Sequence, residues 1–491
     1  MDREAKLIED AVAVFRQQLV EAVGELRQAS SPQSFCEAER RVHALAQAVA
    51  TEMTQRALQA MSDDEARAAE ALGQVRERAG GRGVQVRSEG RRKTLVRTLS
   101  GQEVEVVTPY AIGKPRGRGP QTRKRGAQGT GVYPVLDQLG IVGRATPALR
   151  LLVARAVSEA NSVSAARELL AMGGVELDHK AALRLTYEVT DDALRARAEA
   201  MSKLGKGVDD GPFAGRRVVV AIDGGRVQIR KRVGGRPKKG GRKRFVTEWR
   251  EPKVLTVYVL GDDGRRDRTV PSVIDGTLGD ADAVFDLLLF HLRRVGAHKA
   301  AELTFVADAA PWIWKRAPDL RKALGIDAAR FHEVVDYFHV VQRLSEFSKS
   351  QGWTEEYRLS WYATQKRRLK GGDIEAIEGV FRQIFKRDPE ELKKQVEYFS
   401  THRERLRYAP FRQRGLPIGS GAVESAVRRV INLRLKGSSV CWTEEHAEGL
   451  LHLRAHAKSG RWRELEQAVL GITGWRPTAR MRRDSQSQSA A

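Results

Sequence analysis

Cysteine is nearly absent from this chain: its 491 residues include only Cys36 and Cys441. Two distant cysteines support neither a disulfide framework nor a zinc site, and they fit a reducing cytoplasm. Long apolar runs are missing too. None approaches the ~20 residues that a transmembrane helix needs. The opening Met-Asp-Arg-Glu-Ala-Lys is charged and lacks the apolar stretch of a signal peptide. A soluble intracellular protein is expected, with no membrane partner. Acid is in short supply: 62 Asp+Glu stand against 86 Lys+Arg, a net charge of +24. The basic residues also fall in clusters. Such a field attracts polyanions, of which DNA is the commonest, and a basic protein with no nucleic-acid partner is the alternative.

What is present divides into segments. Residues 1–80 read as helical, with Leu7, Ile8, Val12, Phe15, Leu19, Val23 and Leu26 near a 3.6 period and further helices at about 34–60 and 62–78. Residues 81–135 change period. Three short strands are expected between 82 and 108, with a hairpin turn at Ser100-Gly101, followed by a loop rich in Arg, Lys, Gly and Pro. Within a segment 136–210, residues 146–190 promise three short helices, opened at Thr146-Pro147, near Asn161 and at Asp178. This arrangement fits a helix-turn-helix DNA reader, though any small helical domain would give it. Residues 211–475 begin by alternating strands and helices. Val218–Ile222 reads as a buried strand, with Val227–Arg230 and Val254–Leu260 antiparallel beside it and Asp267–Val270 as a third. Further strands are expected at Leu303–Ala307 and Phe331–Val335. The stretch 340–410 reads as predominantly helical, and 476–491 as a disordered tail.

Three carboxylates stand out. Asp223 ends the run Val-Val-Val-Ala-Ile-Asp, and Asp308 ends Leu-Thr-Phe-Val-Ala-Asp. Glu424 opens an expected helix in Ile-Gly-Ser-Gly-Ala-Val-Glu-Ser. Two strand-end aspartates and a helical glutamate make a hard-oxygen set that suits Mg²⁺ or Mn²⁺. Two such ions about 3.5–4 Å apart support in-line attack on a phosphodiester. Asp223 would bridge them, Asp308 would complete one shell and Glu424 the other. Any one aspartate after an apolar run is as readily a strand end or a helix cap. Asp280 reads as such a cap, and Asp275 and Asp282 as surface or supporting groups.

Phosphate contacts are expected from the Gly-rich loop through Lys238, Lys239, Arg242, Lys243 and Arg244, and from Arg428, Arg429 and Arg434 beside Glu424. Solvated surface is the alternative for each. Trp312 and Trp314 read as core. Trp353 and Trp361 read as exposed rings suited to stacking a base.

The segments Ala-Ile-Asp-Gly-Gly-Arg (221–226), Val-Ala-Asp-Ala-Ala-Pro-Trp-Ile-Trp (306–314), Val-Asp-Tyr-Phe-His-Val (335–340) and Pro-Ile-Gly-Ser-Gly-Ala-Val-Glu-Ser (417–425), with Trp442, resemble those of bacterial insertion-sequence DDE transposases of the ISKra type. The resemblance covers about 211–460 well and the N-terminal half loosely. It implies an α/β RNase H-like catalytic core with an all-helical insertion at about 345–410. Helical, small β and helix-turn-helix-like regions would precede that core. It makes Asp223, Asp308 and Glu424 a catalytic triad. Asp336-Tyr-Phe-His339 is similar to the aspartate-x-x-histidine signature of Mutator-like relatives, which gives His339 a place beside a phosphate or leaving group. A histidine packed at a helix start is the alternative. Many members carry cysteine pairs before the helix-turn-helix; 109–135 has none, so no zinc module is expected.

The function implied is cleavage and joining of the element's own terminal inverted repeats, and insertion into target DNA, by a homo-oligomer on double-stranded DNA. An RNase H-like nuclease or resolvase would use the same carboxylates without end recognition. A catalytically silent, transposase-derived DNA-binding protein is a third reading.

Overall fold

In the computed structural model, residues 3–81, 84–115, 131–205, 207, 210–233, 244–385, 389–437 and 440–472 are described. They fall into two compact units, one holding 1–192 with 466–472 and the other 193–465. Among the described residues, no helix is long and apolar enough to cross a membrane.

The first unit begins with α1 (Arg3–Gln28), α2 (Pro32–Asp63) and α3 (Glu65–Gly80). Ser31 starts α2 with a capping box: its hydroxyl accepts from Ser34 N–H, and Pro32 supplies a preset φ at the first helical position. Two long strands follow, β1 (Val84–Arg97) and β2 (Glu103–Pro115), with the short β3 (Gly131–Val132) antiparallel to β2. The expected turn is there: Thr98 N–H donates to Gln102, and Gly101 takes φ +79°. The three short strands expected before residue 108 are instead two. A bulge between Ser88 and Arg91, with Gly90 at φ +76°, carries β1 through the break in its alternation. After α4 (Pro134–Gln138) come α5 (Pro147–Glu159), α6 (Val163–Met172) and α7 (His179–Lys203). The third helix is long rather than short. Leu149, Val153, Val157, Ala166, Leu170 and Leu185 close their common core.

The second unit is built on a mixed five-stranded sheet. Its strands are β4 (Arg217–Gly224), β7 (Lys253–Leu260), β8 (Val273–Thr277), β9 (Glu302–Ala307) and β10 (Phe331–Val335), in the order β10-β9-β4-β7-β8. β4 runs antiparallel to β7, and β7 to β8; β4 runs parallel to β9, and β9 to β10. Central β4 is covered on both faces, which is why Val218–Ile222 is continuously apolar.

Two expectations fail here. Val227–Arg230 does not join this sheet: β5 (Val227–Arg232) pairs with β6 (Phe245–Arg250) in a separate hairpin. The third strand is Val273–Thr277, not Asp267–Val270. Asp267 instead binds its own loop, accepting from the N–H and hydroxyl of Thr269, and the more apolar stretch takes the edge.

Helix α8 (Ala281–Arg294) lays Val284, Phe285, Leu288 and Leu292 on the sheet, and Asp280 caps it as expected, accepting from Ala283 N–H. α9 (Pro311–Trp314) and α10 (Ala317–Leu324) follow β9. The helical stretch comprises α11 (Tyr337–Ser350), α12 (Glu355–Gly371), α13 (Ile374–Ile384), α14 (Pro389–Thr401) and α15 (Tyr408–Gln413). Then come α16 (Gly421–Val427), a π-helical turn (Arg428–Asn432), α17 (Glu444–Lys458) and α18 (Trp462–Gly471), whose end belongs to the first unit.

Candidate functional site

Three parallel strands finish in aspartate at one edge of the sheet. Asp223 is the next-to-last residue of β4, Asp308 follows β9, and Asp336 follows β10. Ile222 pairs with Ala307, and Ala307 with Val335. The three aspartates therefore occupy the next row together, on strands about 4.8 Å apart. The apolar run before each one buries the strand. The carboxylate comes where the strand emerges.

Each aspartate is held differently. Asp223 accepts from Gly224 N–H at 2.7 Å. Asp308 accepts from Ala310 N–H at 3.0 Å, and its carbonyl takes the indole N–H of Trp314 at 2.7 Å. Trp314 is buried and Trp312 partly so, as core residues. Asp336 is wholly buried. One of its oxygens accepts from the N–H groups of Phe338 (2.6 Å) and His339 (3.4 Å). The other accepts from Ser420 N–H (2.7 Å) and from the Ser420 hydroxyl. Tyr337 N–H also donates to the Ile418 carbonyl at 2.8 Å. One carboxylate thus caps α11 and ties down the residue that precedes α16. Gly419 lets the Phe338 ring lie close, since a Cβ would sit 2.6 Å from it.

Glu424 lies in the first turn of α16 and reaches back toward these strand ends. Its Oε1 is 3.3 Å from the Ser420 hydroxyl and 3.9 Å from His339 Nε2. Asp336, His339 and Glu424 bring one ligand atom each within 4.8 Å of one another, a group that could hold a metal ion. Asp223 shares the same field. Burial pushes its carboxyl above the ordinary range; Gly224 N–H and His339 pull it back, while the Asp308 and Glu424 carboxylates push it up again. Asp223 therefore feels the His339 imidazole and the carboxylates of Asp308 and Glu424 together. That surplus of negative oxygen is the environment a hard divalent cation relieves.

The helix that carries Glu424 changes character at Arg428, where it widens into the π turn. Such turns leave carbonyls short of partners. Arg454, fully buried on α17, answers two of them: Nε donates to Val430 O at 2.7 Å, and Nη2 to Arg429 O.

The expected DNA contacts divide. Lys238, Lys239, Arg242 and Lys243 lie outside the described residues. Arg244 and Arg428 are exposed. Arg429 is half-buried and gives an N–H to the Lys458 carbonyl at 2.9 Å. Arg434 does not face solvent: it is buried, with its guanidinium 5.0 Å from the centre of the Trp442 ring. A helical spacing cannot reveal that the chain turns inward after residue 432. Trp361 is also misread as exposed. It is buried and packs with Phe347, Trp353 and Phe381, and Trp353 is half-buried in the same cluster.

Sequence reasoning singles out His339 and passes over Asp336 beside it. The signal was available, since Asp336 ends a third apolar run, Phe331–Val335, as Asp223 and Asp308 end theirs. Ser420 and Arg454 carry no such signal, because their partners are remote in sequence. Asp275, expected as a surface or supporting group, is supporting. It is fully buried on β8 and accepts from His291 (2.8 Å), His452 (3.0 Å) and Arg197 (3.4 Å). Asp282 is the surface member, paired with Arg316 at 2.7 Å. No protein-family model, curated protein or solved structure matches this chain.

Proposed function

We propose that this chain is a DNA transposase that cleaves and joins the ends of its own insertion sequence by metal-dependent phosphoryl transfer. The observation that carries the proposal is the gathering of Asp223, Asp308, Asp336, His339 and Glu424 at the carboxyl ends of three parallel strands. The sheet supports it. Counted in chain order, the five strands lie 5-4-1-2-3, with the first three antiparallel and the last two parallel to the first. That order is compatible with the RNase H-like core that the resemblance implies. The helical stretch between Asp308 and Glu424 agrees with the all-helical insertion.

In the reaction, an oxygen of water or of a DNA 3′-hydroxyl forms a bond to phosphorus while the opposite phosphorus–oxygen bond breaks. Asp223, Asp308 and Glu424 would hold Mg²⁺ or Mn²⁺, which when bound makes the attacking oxygen more acidic and stabilises charge on the leaving one. Asp223 is fixed by the central strand. Asp336 holds Ser420, and through it the start of α16, so that Glu424 is presented to the strand ends. His339, 3.9 Å from Glu424, would donate to a phosphate or leaving oxygen, the role that the resemblance implies. Arg428 and the net charge of +24 supply attraction for the DNA backbone.

The test uses the purified chain, DNA carrying matched element ends, and Mg²⁺ or Mn²⁺. End cleavage and strand transfer are expected. Asp223→Ala, Asp308→Ala and Glu424→Ala should each abolish both while leaving DNA binding nearly intact. Cleavage without transfer or end preference would favour a nuclease or resolvase. Metal-independent inertness of the wild type would favour a silent DNA-binding protein. Wild-type rates in any alanine variant would remove that residue from the site.

A further inference from the structure

The hairpin that leaves the sheet directly after Asp223 has two unlike faces. In β5 and β6, directly paired residues point the same way. Val227 and Ile229 point inward and are buried against Val427, Ile431 and Trp442. The seating is close: a Cβ on Gly225 would fall 2.5 Å from Ile431 Cδ1. Gln228 O accepts from Trp442 N–H at 2.9 Å, and Arg230 N–H donates to Trp442 O at 2.8 Å. The hairpin is therefore a firm platform, anchored both to the strand of Asp223 and to the segment that carries Glu424.

The opposite face pairs Arg232 with Phe245, Arg230 with Thr247, and Gln228 with Trp249. Trp249 is 54% exposed and Phe245 51%. Large rings left in water at that level, on a strand held this firmly, call for a partner. Neither Arg230 nor Arg232 has an acidic partner among the described residues, whereas Lys231, on the other face, is paired with Glu248 at 2.7 Å. The aromatic face is thus left with uncompensated positive charge. The chain returns from Trp249 to the sheet in three residues, at Pro252, whose carbonyl accepts from Gly225 N–H. Val254, the cross-strand partner of Asp223, is five residues from Trp249, a span of at most roughly 17 Å at about 3.4 Å per residue.

We infer that this face binds unpaired bases of the DNA strand that enters the candidate active site, with Trp249 and Phe245 stacking on bases and Arg230 and Arg232 neutralising the adjoining phosphates. Stacking tolerates any base, and cations beside the rings suit a single strand's backbone. A duplex offers its bases only by their edges, so exposed flat rings favour an opened strand. The inference deepens the transposase reading and rests on it for the identity of the DNA.

The test is a binding measurement on the full chain without divalent metal, which separates it from the cleavage that tests the transposase reading. Two probes are compared: a blunt duplex, and the same duplex with a short unpaired flank carrying 2-aminopurine. Wild type should prefer the flanked probe and quench the 2-aminopurine. Trp249→Ala should lose at least about fivefold in affinity for the flanked probe and little for the blunt one, since each stacked base contributes ~1–3 kcal/mol. Trp249→Phe should keep both the preference and the quenching. Arg230→Gln with Arg232→Gln should weaken the flanked probe and reduce its salt dependence. Equal losses on both probes, or unchanged quenching in Trp249→Ala with an unaltered melting temperature, would overturn the inference. If Trp249→Ala does not fold, Trp249→Phe and the arginine pair decide it: indifference to the flank in the folded wild type, or an unchanged flanked-probe affinity in the arginine variant, overturns it as well.

Discussion

At the scale of single residues, Asp336 and Asp223 show how environment divides labour among identical side chains. Asp223 accepts a hydrogen bond from its own neighbour's N–H and sits among other carboxylates, so its charge has few partners and is free for a cation. Asp336 is committed on both oxygens to four donors. We read it as a positioning residue acting through Ser420 and α16, although one of its oxygens also lies within 4.8 Å of His339 and Glu424 ligand atoms. Removing it strands buried donors, at a cost of about 1–3 kcal/mol each. Asp336→Ala should therefore lower the melting temperature by several degrees and slow cleavage, with Mn²⁺ binding measured by calorimetry weakened only in step with the loosened α16. Unchanged melting combined with abolished metal binding would make Asp336 a direct ligand instead.

At the scale of elements, the helix that bears Glu424 depends on a remote one. α16 gives way to a π turn, and the carbonyls of Arg429 and Val430 are answered by Arg454 from α17. A leucine in that place fills much of the volume but leaves those carbonyls buried without donors. Arg454→Leu should cost about 2–4 kcal/mol in urea unfolding. It should also reduce cleavage, because Glu424 lies about one turn before the defect. If stability and cleavage are both unaffected, the π turn does not rely on Arg454. The aromatic cluster of the helical stretch makes a similar point. Phe347, Trp353, Trp361, Phe381 and Phe385 pack around one another, so the rings there hold helices together rather than waiting for a ligand.

At the scale of the whole molecule, pH should act on stability through buried histidines. Burial lowers His291 from 6.5 to about 3, against the opposing pull of Asp275, and lowers His402 from 6.5 to about 4. Both are neutral in the fold and protonate more readily once unfolded. Their contribution is complete above pH 6.5 and drains away as pH falls toward 4 and then 3. The melting temperature should fall across that window. His402→Gln, which cannot take up the proton, should flatten part of the decline. A wild-type melting temperature that stays level through the window would contradict the assignment.

The sequence alone determined the strands that end in Asp223, Asp308 and Asp336, the cap at Asp280, and the turn at Gly101. Each rests on short-range rules: apolar runs bury strands, and carboxylates or hydroxyls satisfy the free N–H groups of a helix start. It also determined the charge balance, which no folding alters. Only the tertiary structure decided that β5 leaves the sheet, that Val273–Thr277 and not Asp267–Val270 takes the edge, and that Arg434 and Trp361 turn inward. It alone decided that Asp336 clasps Ser420 from the far side of the helical stretch. Those outcomes depend on which strands and helices become neighbours. Local periodicity fixes the faces of an element, but only long-range pairing chooses what each face meets.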